Sequence, residues 1–104
     1  MDFEERGDTI HCVFSGDMNT EVCAEIEEPL NTRIGRFLGE RDSGQVIFDL
    51  DQVRYVSSAF LRLCLVGGKL AGGRNFSIQN VSSDVGKVFR VAGFTEMMNI
   101  KVKG

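Results

Sequence analysis

The sequence predicts an α/β fold in which strands alternate with helices around a mostly parallel sheet. Residues 46–50 (VIFDL) form a short apolar run between turn residues, which is typical of a strand covered on both faces. Before this run, residues 20–41 repeat apolar side chains at steps of three and four, which indicates a helix. After it, two serines precede an apolar segment without a breaker before Gly67, which indicates a second helix.

Length and composition indicate one domain spanning residues 1–104. With 42% hydrophobic and 26% charged residues, the chain can bury a core. The net charge of −3 and the pI near 5.1 argue against a nucleic-acid partner, which requires a basic surface. The chain has no apolar run of the ~18 residues that a membrane span needs, and its acidic N-terminus lacks a signal-peptide core. We therefore expect a cytoplasmic protein without membrane insertion.

The first elements are predicted to be a hairpin and then a helix. Residues 3–6 suit a short edge strand, Gly7 and Asp8 a turn, and residues 9–14 a strand that ends at Gly16. The alternation of that second strand predicts a buried face with Ile10, Cys12 and Phe14. Within residues 20–41, Pro29 removes a helical hydrogen bond, so either two segments meet there or one helix is kinked. We expect a kink.

The second half of the chain continues the alternation of helix and strand. The apolar residues from Phe60 to Leu70 cover most of a helix surface, which Gly72 and Gly73 end. Residues 75–79 suit a strand, and residues 97–100 a last short one. Between these two strands, Ser82 or Ser83 caps a short helix, and Gly93 ends it in a left-handed conformation with Phe94 closing over the end. Its predicted buried stripe is Val85, Val88, Phe89 and Ala92.

The serine pair Ser57-Ser58 has two interpretations. A hydroxyl before an apolar helix accepts hydrogen bonds from the first-turn N–H groups and so caps the helix. The same hydroxyl lies at the positive end of the helix dipole, where a phosphate is well tolerated. Ser58, Arg62 and Lys69 share one exposed stripe of this helix, because they are spaced by four and seven residues.

The sequence gives little support for an enzyme, a metal or a cofactor. His11 is the one histidine and is expected on the outer face of its strand, so no serine or cysteine has an evident base to activate it. Asp49 and Asp51 lie on one side of the central strand, but they lack a third acidic partner nearby in sequence. The three cysteines are widely spaced and odd in number, which argues against a disulfide framework.

Residues 48–82 (FDLDQVRYVSSAFLRLCLVGGKLAGGRNFSIQNVS) resemble the core of a STAS domain, the sulfate transporter and anti-sigma factor antagonist family. Typical members have a strand ending in Asp-Leu, a spacer, and then an aromatic-apolar-Asp-Ser-Ser-Gly-Leu segment that opens a helix. Residues 15–19 (SGDMN), the pair Gly72-Gly73 and residues 91–95 (VAGFT) extend the resemblance over residues 8–101. It implies a mixed sheet of about four or five strands with helices mainly on one side.

Matched to the family pattern, Tyr55 and Val56 fall on the aromatic-apolar pair, Ser57 on the Asp and Ser58 on the phosphorylated serine. Phe60 falls on the Gly. The resemblance implies an anti-sigma factor antagonist that binds an ATP-dependent serine kinase acting as anti-sigma factor, with a serine phosphatase that resets Ser58. The residues expected to contact partners are Asp17, Met18, Asn19, Ser57, Ser58, Phe60, Arg62 and Lys69.

Two alternatives stay open at the level of sequence. Ser57 competes with Ser58 as the modified residue. In the second alternative, the chain is a STAS-like scaffold or a subunit of a larger assembly and is not phosphorylated. An exposed Phe60 would then be an apolar docking anchor. If Phe60 is buried, it belongs to the core, and this second outcome is the one we expect.

Overall fold

The computed structural model describes residues 1–72 and 75–103. The elements in chain order are β1 (Asp2–Arg6), β2 (Thr9–Met18), α1 (Thr20–Gly39), β3 (Gln45–Val56), α2 (Ser58–Ala71), β4 (Phe76–Val81), α3 (Ser83–Val91), a 3-10 turn (Phe94–Glu96) and β5 (Asn99–Val102). The five strands form one sheet in the order β1-β2-β3-β4-β5. β1 pairs with β2 in the antiparallel sense, and the other pairs are parallel. The predicted α/β fold and mixed sheet are confirmed.

One face of the sheet carries the helices and the core. Phe14 of β2 and Phe48 of β3 lie on this face, with ring centroids 5.0 Å apart. Phe60 of α2 packs edge-on against Phe14 at 5.1 Å. On the opposite face, side chains such as His11 and Ile47 are half-buried. Alternation along the strands therefore separates a helix-covered face from an open one.

Strands β2 and β3 are longer than the sequence predicts. β2 continues through Gly16 and Asp17, which we expected to end it, because these residues pair with Val53 and Tyr55 of β3 across two register shifts. β3 likewise runs on to Val56, beyond the predicted end at residue 50. The irregular pairing keeps the ladder intact where turn-forming residues interrupt the apolar pattern.

Helix α1 contains Pro29 within one helix, so the alternative of two segments is wrong. The helix also ends at Gly39 rather than residue 41. Pro29 and Glu25, whose carbonyl loses its helical donor, are both exposed, so water can replace that hydrogen bond. Past the helix end, Arg41 donates to the Phe37 carbonyl at 2.8 Å.

The later elements depart from the sequence pattern in three places. Val88 and Ala92 are exposed, because α3 buries Gly86 instead, where a Cβ would lie 3.1 Å from Val102. Leu70 of α2 is 44% exposed. β5 begins at Asn99, since residues 94–96 form the 3-10 turn before it.

Both predicted glycine caps have a left-handed backbone at the residues described. Gly72 ends α2 with φ 78°, and its expected companion Gly73 lies outside the described residues. Gly93 follows α3 with φ 80°, and Phe94 is buried with its ring 5.8 Å from that of Phe89. These positions favour glycine because a side chain is strained at positive φ.

Candidate functional site at the start of helix α2

The candidate site lies where two helices begin at the same edge of the sheet. β2 and β3 are parallel neighbours, and their last residues Met18 and Val56 are in register. Asn19 then caps α1 by accepting a hydrogen bond from the Val22 N–H at 2.9 Å. Ser57 caps α2 in the same way. The parallel pairing thus brings two positive helix ends side by side.

The two serines of the predicted pair have different surroundings. Ser57 is 8% exposed, and its Oγ accepts a hydrogen bond from the Phe60 N–H at 3.3 Å. Ser58 is the first residue of α2 and is exposed. Among the described residues, its hydroxyl has no hydrogen-bond partner. Capping therefore falls on Ser57, and the hydroxyl of Ser58 is accessible to a second protein.

Cys23 of α1 lies directly behind the serine cap. Its Sγ donates to the Met18 carbonyl at 3.7 Å and lies 4.0 Å from the Ser57 Oγ. Burial raises the pKa of the Cys23 thiol, against the smaller lowering effects of Ser57 and Arg62. Burial also raises the pKa of Cys64, further along α2, well above its usual value. Both thiols are therefore protonated and weakly nucleophilic at neutral pH.

A shallow groove separates the first turns of the two helices. Its volume is about 90 Å³, and it is lined by Thr20, Cys23, Ala24, Glu27, Ala59, Arg62 and Leu63. Glu27 of α1 and Arg62 of α2 bring opposite charges to this groove, and both act on the pKa of Cys23, Glu27 raising it and Arg62 lowering it. Arg62 is exposed and lies one turn after Ser58.

The eight residues expected to contact partners divide into two groups. The exposed group is Asp17, Asn19, Ser58, Arg62 and Lys69. The buried group is Met18, Ser57 and Phe60, at 4%, 8% and 0% exposure.

Three of the expected contact residues are thus buried, and their part in binding a partner stays a prediction. Met18 and Phe60 belong to the core, and Ser57 is occupied as the helix cap. The burial of Phe60 removes the apolar docking anchor that favoured the scaffold alternative. Lys69 lies near the other end of α2, beside a separate apolar groove that includes Met97 and Met98.

Tyr55 was not among the predicted contacts, yet its side chain is 52% exposed two residues before Ser57. Its neighbours Val53 and Val56 in β3 are both buried. The irregular pairing of β2 with β3 between Gly16 and Asp17 breaks simple alternation and directs both Arg54 and Tyr55 outward. The sequence signal was the aromatic residue itself, placed immediately before the serine pair.

The acidic pair of β3 makes structural contacts. Asp49 Oδ1 accepts hydrogen bonds from the Asp51 N–H at 3.0 Å and from the Asn80 side chain at 3.1 Å. Asp51 forms an ion pair with Lys103 at 2.9 Å. Within residues 1–72 and 75–103, no group of three or more His, Cys, Asp or Glu side chains is arranged to hold a metal ion. The same residues contain no helix that is long and apolar enough to cross a membrane.

Comparison of the fold with solved structures gives close matches. A candidate anti-sigma factor antagonist from Thermotoga maritima superposes with a TM-score of 0.82 at 12% identity, covering 96% of this chain and 84% of the other. The anti-sigma factor antagonist SpoIIAA in its unphosphorylated form gives 0.74 at 18% identity, with 95% and 85% covered. This chain has the STAS fold. A STAS domain protein from Planctomyces limnophilus gives 0.72 at 16% identity, with 99% and 90% covered.

Of the three comparisons, the one with solved structures finds the STAS likeness. Neither a family model nor a curated protein matches this sequence. The phosphorylated form of SpoIIAA from Bacillus also superposes, with a TM-score of 0.67 at 19% identity, covering 95% of this chain and 88% of that one. The STAS fold is therefore seen in that relative both with and without phosphate.

Proposed function

We propose that this chain is a regulatory protein-binding module of the anti-sigma factor antagonist type, which binds a serine kinase acting as anti-sigma factor. Phosphorylation of Ser58 by that kinase ends the binding, and a serine phosphatase restores it. The proposed role is binding rather than turnover, and it implies a cytoplasmic location and an effect on transcription. The observation that carries the proposal is the exposed hydroxyl of Ser58, which has no hydrogen-bond partner within residues 1–72 and 75–103, beside the buried, capping Ser57.

The proposed contact surface surrounds the starts of α1 and α2. It contains Asp17, Asn19, Tyr55, Ser58 and Arg62, all of which are exposed. Tyr55 contributes an amphipathic aromatic side chain of the kind enriched in protein interfaces. Lys69, further along the same helix, extends the surface.

The proposed modification is a simple phosphoryl transfer. Ser58 Oγ attacks the γ-phosphorus of ATP bound to the kinase, the bond to ADP breaks, and the serine proton passes to a base of the kinase. The phosphate adds about −1.5 to −2 charges at neutral pH to a surface that docks the partner. Such a charge weakens docking against an acidic or apolar partner face through repulsion and desolvation.

The chain offers a matched control for this site. Ser82 caps α3 by accepting from the Val85 N–H at 3.2 Å, and Ser83 is the exposed first residue of that helix. Ser83 thus has the local geometry of Ser58 but lies outside the proposed contact surface. A kinase that reads only an exposed serine at a helix start would modify both residues, whereas the proposal requires Ser58 alone.

The test is intact mass and peptide mapping of the protein isolated from the cells that encode it, in growth and under stress. We expect one phosphate on Ser58, which is lost in Ser58→Ala and kept in Ser83→Ala. Ser58→Asp should reduce the recovery of the co-purifying kinase at least tenfold, on the order of 1.4 kcal/mol, while Ser83→Asp leaves it unchanged. A phosphate-free Ser58 under all conditions, or equal effects of the two Asp variants, would contradict the proposal.

A further inference from the structure

Arg62 is placed to receive a group attached to Ser58. The two residues are four positions apart in α2, and both are exposed. Side chains at this spacing lie on one helix face, with Cβ atoms about 5–6 Å apart. The order, with the group that becomes negative N-terminal to the cation, is the favourable one for such pairs.

In the unmodified protein Arg62 shares the groove between α1 and α2 with Glu27. The two side chains contribute opposite effects to the pKa of Cys23, which lies between the helices. They form no direct ion pair in the described part of the chain. The attraction between these two exposed side chains is therefore a screened one, which a stronger anion nearby can overcome.

We propose that Arg62 is a phosphate-positioning residue, which binds phosphorylated Ser58 and moves away from Glu27 in doing so. This proposal extends the function proposed above and rests on it, because that function is what supplies the phosphate on Ser58. A phosphate carries up to twice the charge of the Glu27 carboxylate and offers three acceptor oxygens. The planar guanidinium group can meet two of these oxygens at once, which favours the phosphate over the carboxylate.

The consequence is a second change in the contact surface. Phosphorylation adds negative charge at Ser58 and also removes the cation from the groove, so that Glu27 faces a docking partner without its counter-charge. The other charged side chains near the starts of these helices are Asp17 of β2, Glu21 of α1 and Arg54 of β3. These side chains are the same in every variant compared below, so the comparison isolates the effect of Arg62.

The test places phosphoserine at position 58 during translation, so no kinase is needed. The second pKa of the phosphate, ordinarily about 6, is then measured by ³¹P NMR titration. Because a nearby cation favours the dianion, this pKa should be lower in the native sequence than in Arg62→Gln, by about half a unit. Arg62→Lys should recover part of this lowering of the phosphate pKa, since lysine keeps the positive charge but lacks the planar guanidinium group that binds two oxygens at once.

Lys69→Gln is the matched control. Lys69 is also an exposed cation of α2, but eleven residues from Ser58, roughly 16 Å along the helix. At physiological salt this distance exceeds the Debye length of about 8 Å, so the phosphate pKa should not change. Equal pKa values in the native sequence and Arg62→Gln would overturn the proposal.

Glu27→Gln provides a second test, in which the phosphate pKa is measured while Arg62 is retained. Removal of the competing carboxylate should lower the phosphate pKa further, by a few tenths of a unit. An unchanged value would contradict the release of Arg62 from Glu27. Because phosphoserine is incorporated during translation, the results of these measurements do not depend on whether a kinase modifies Ser58 in cells.

Discussion

The Sγ atom of Cys23 lies 4.0 Å from the Oγ atom of Ser57, across the junction where α1 and α2 begin. Both residues also donate to one acceptor, the carbonyl of Met18, through the Ser57 N–H at 3.0 Å and the Cys23 thiol at 3.7 Å. The end of β2 and the starts of both helices are therefore tied together behind the exposed Ser58. This arrangement fixes the position of Ser58 without using its side chain.

Ser57→Ala should lower the free energy of unfolding by about 1 kcal/mol, because the buried Phe60 N–H loses its capping acceptor. Ser58→Ala should change it by less than about 0.5 kcal/mol, since the Ser58 side chain is exposed and makes no hydrogen bond within the described residues. Urea unfolding of the two variants measures the difference. Equal destabilisation by the two substitutions would show that the division of roles between the serines is wrong.

Gly67→Ala should destabilise the protein by about 1–3 kcal/mol. A Cβ at this position would lie 2.9 Å from the Phe48 ring and 3.1 Å from the Phe76 ring, so the aromatic cluster would have to move. Gly68→Ala is the control, because its Cβ would meet Phe76 at an ordinary 3.5 Å. In thermal unfolding, the Tm of Gly68→Ala should equal or exceed that of the native sequence, because alanine has a better helix propensity than glycine. The Tm of Gly67→Ala should be lower than that of the native sequence.

The thiols should resist alkylation in the folded state. Burial raises the pKa of Cys12 to about 12, and the pKa values of Cys23 and Cys64 are also raised by burial. Iodoacetamide at mildly alkaline pH should therefore label none of the three rapidly until the chain is unfolded.

Cysteine substitution also tests the exposure of the serine pair. In the same alkylation experiment, Ser58→Cys should add a rapidly labelled site, whereas Ser57→Cys should be slow, because position 58 is exposed and position 57 is buried. Similar labelling rates at the two positions would contradict this difference in accessibility.

The Asp51–Lys103 ion pair predicts a pH dependence in the acid range. The hydrogen bond from Lys103, followed by that from Gln52, holds the pKa of Asp51 below its usual value. A lowered pKa in the folded state means that this contribution to stability is present above the unfolded-state pKa of about 3.9 and is lost as the pH falls through the folded-state pKa.

NMR titration of the Asp51 carboxyl carbon checks this prediction. Lys103→Gln should raise the pKa of Asp51 towards its usual value, whereas Lys101→Gln, at an exposed lysine within β5, should leave it unchanged. An Asp51 pKa that is insensitive to Lys103 would contradict the ion pair.

The elements with a strong apolar period could be predicted from the sequence. The alternation of Ile10, Cys12 and Phe14 correctly gave the buried face of β2, and residues 20–41 gave α1 to within two residues. The positions of two left-handed glycine caps followed from local chemistry as well. These features depend on neighbours within a few residues, which the sequence displays directly.

Predictions that depended on distant partners were less successful. Gly16 and Asp17 resemble a strand end, but pairing with β3 keeps them in the sheet. Val88 fits the apolar stripe of α3, yet close approach to Val102 buries Gly86 and leaves Val88 exposed. Neither the irregular register nor the contact across the chain leaves a local mark in the sequence.

The sequence by itself determined the α/β alternation, the core face of β2 and the presence of a serine pair at the start of α2. The tertiary structure decided which serine caps the helix and which has an exposed hydroxyl. Ser57 becomes buried only when α1 packs beside it and brings Cys23 to its hydroxyl. It also decided that Phe60 of α2 belongs to the core, since Phe60 packs against the rings of Phe14 and Phe48 from β2 and β3. Burial and shared hydrogen bonds arise between segments that are far apart in the chain, so these roles follow from packing rather than from residue order.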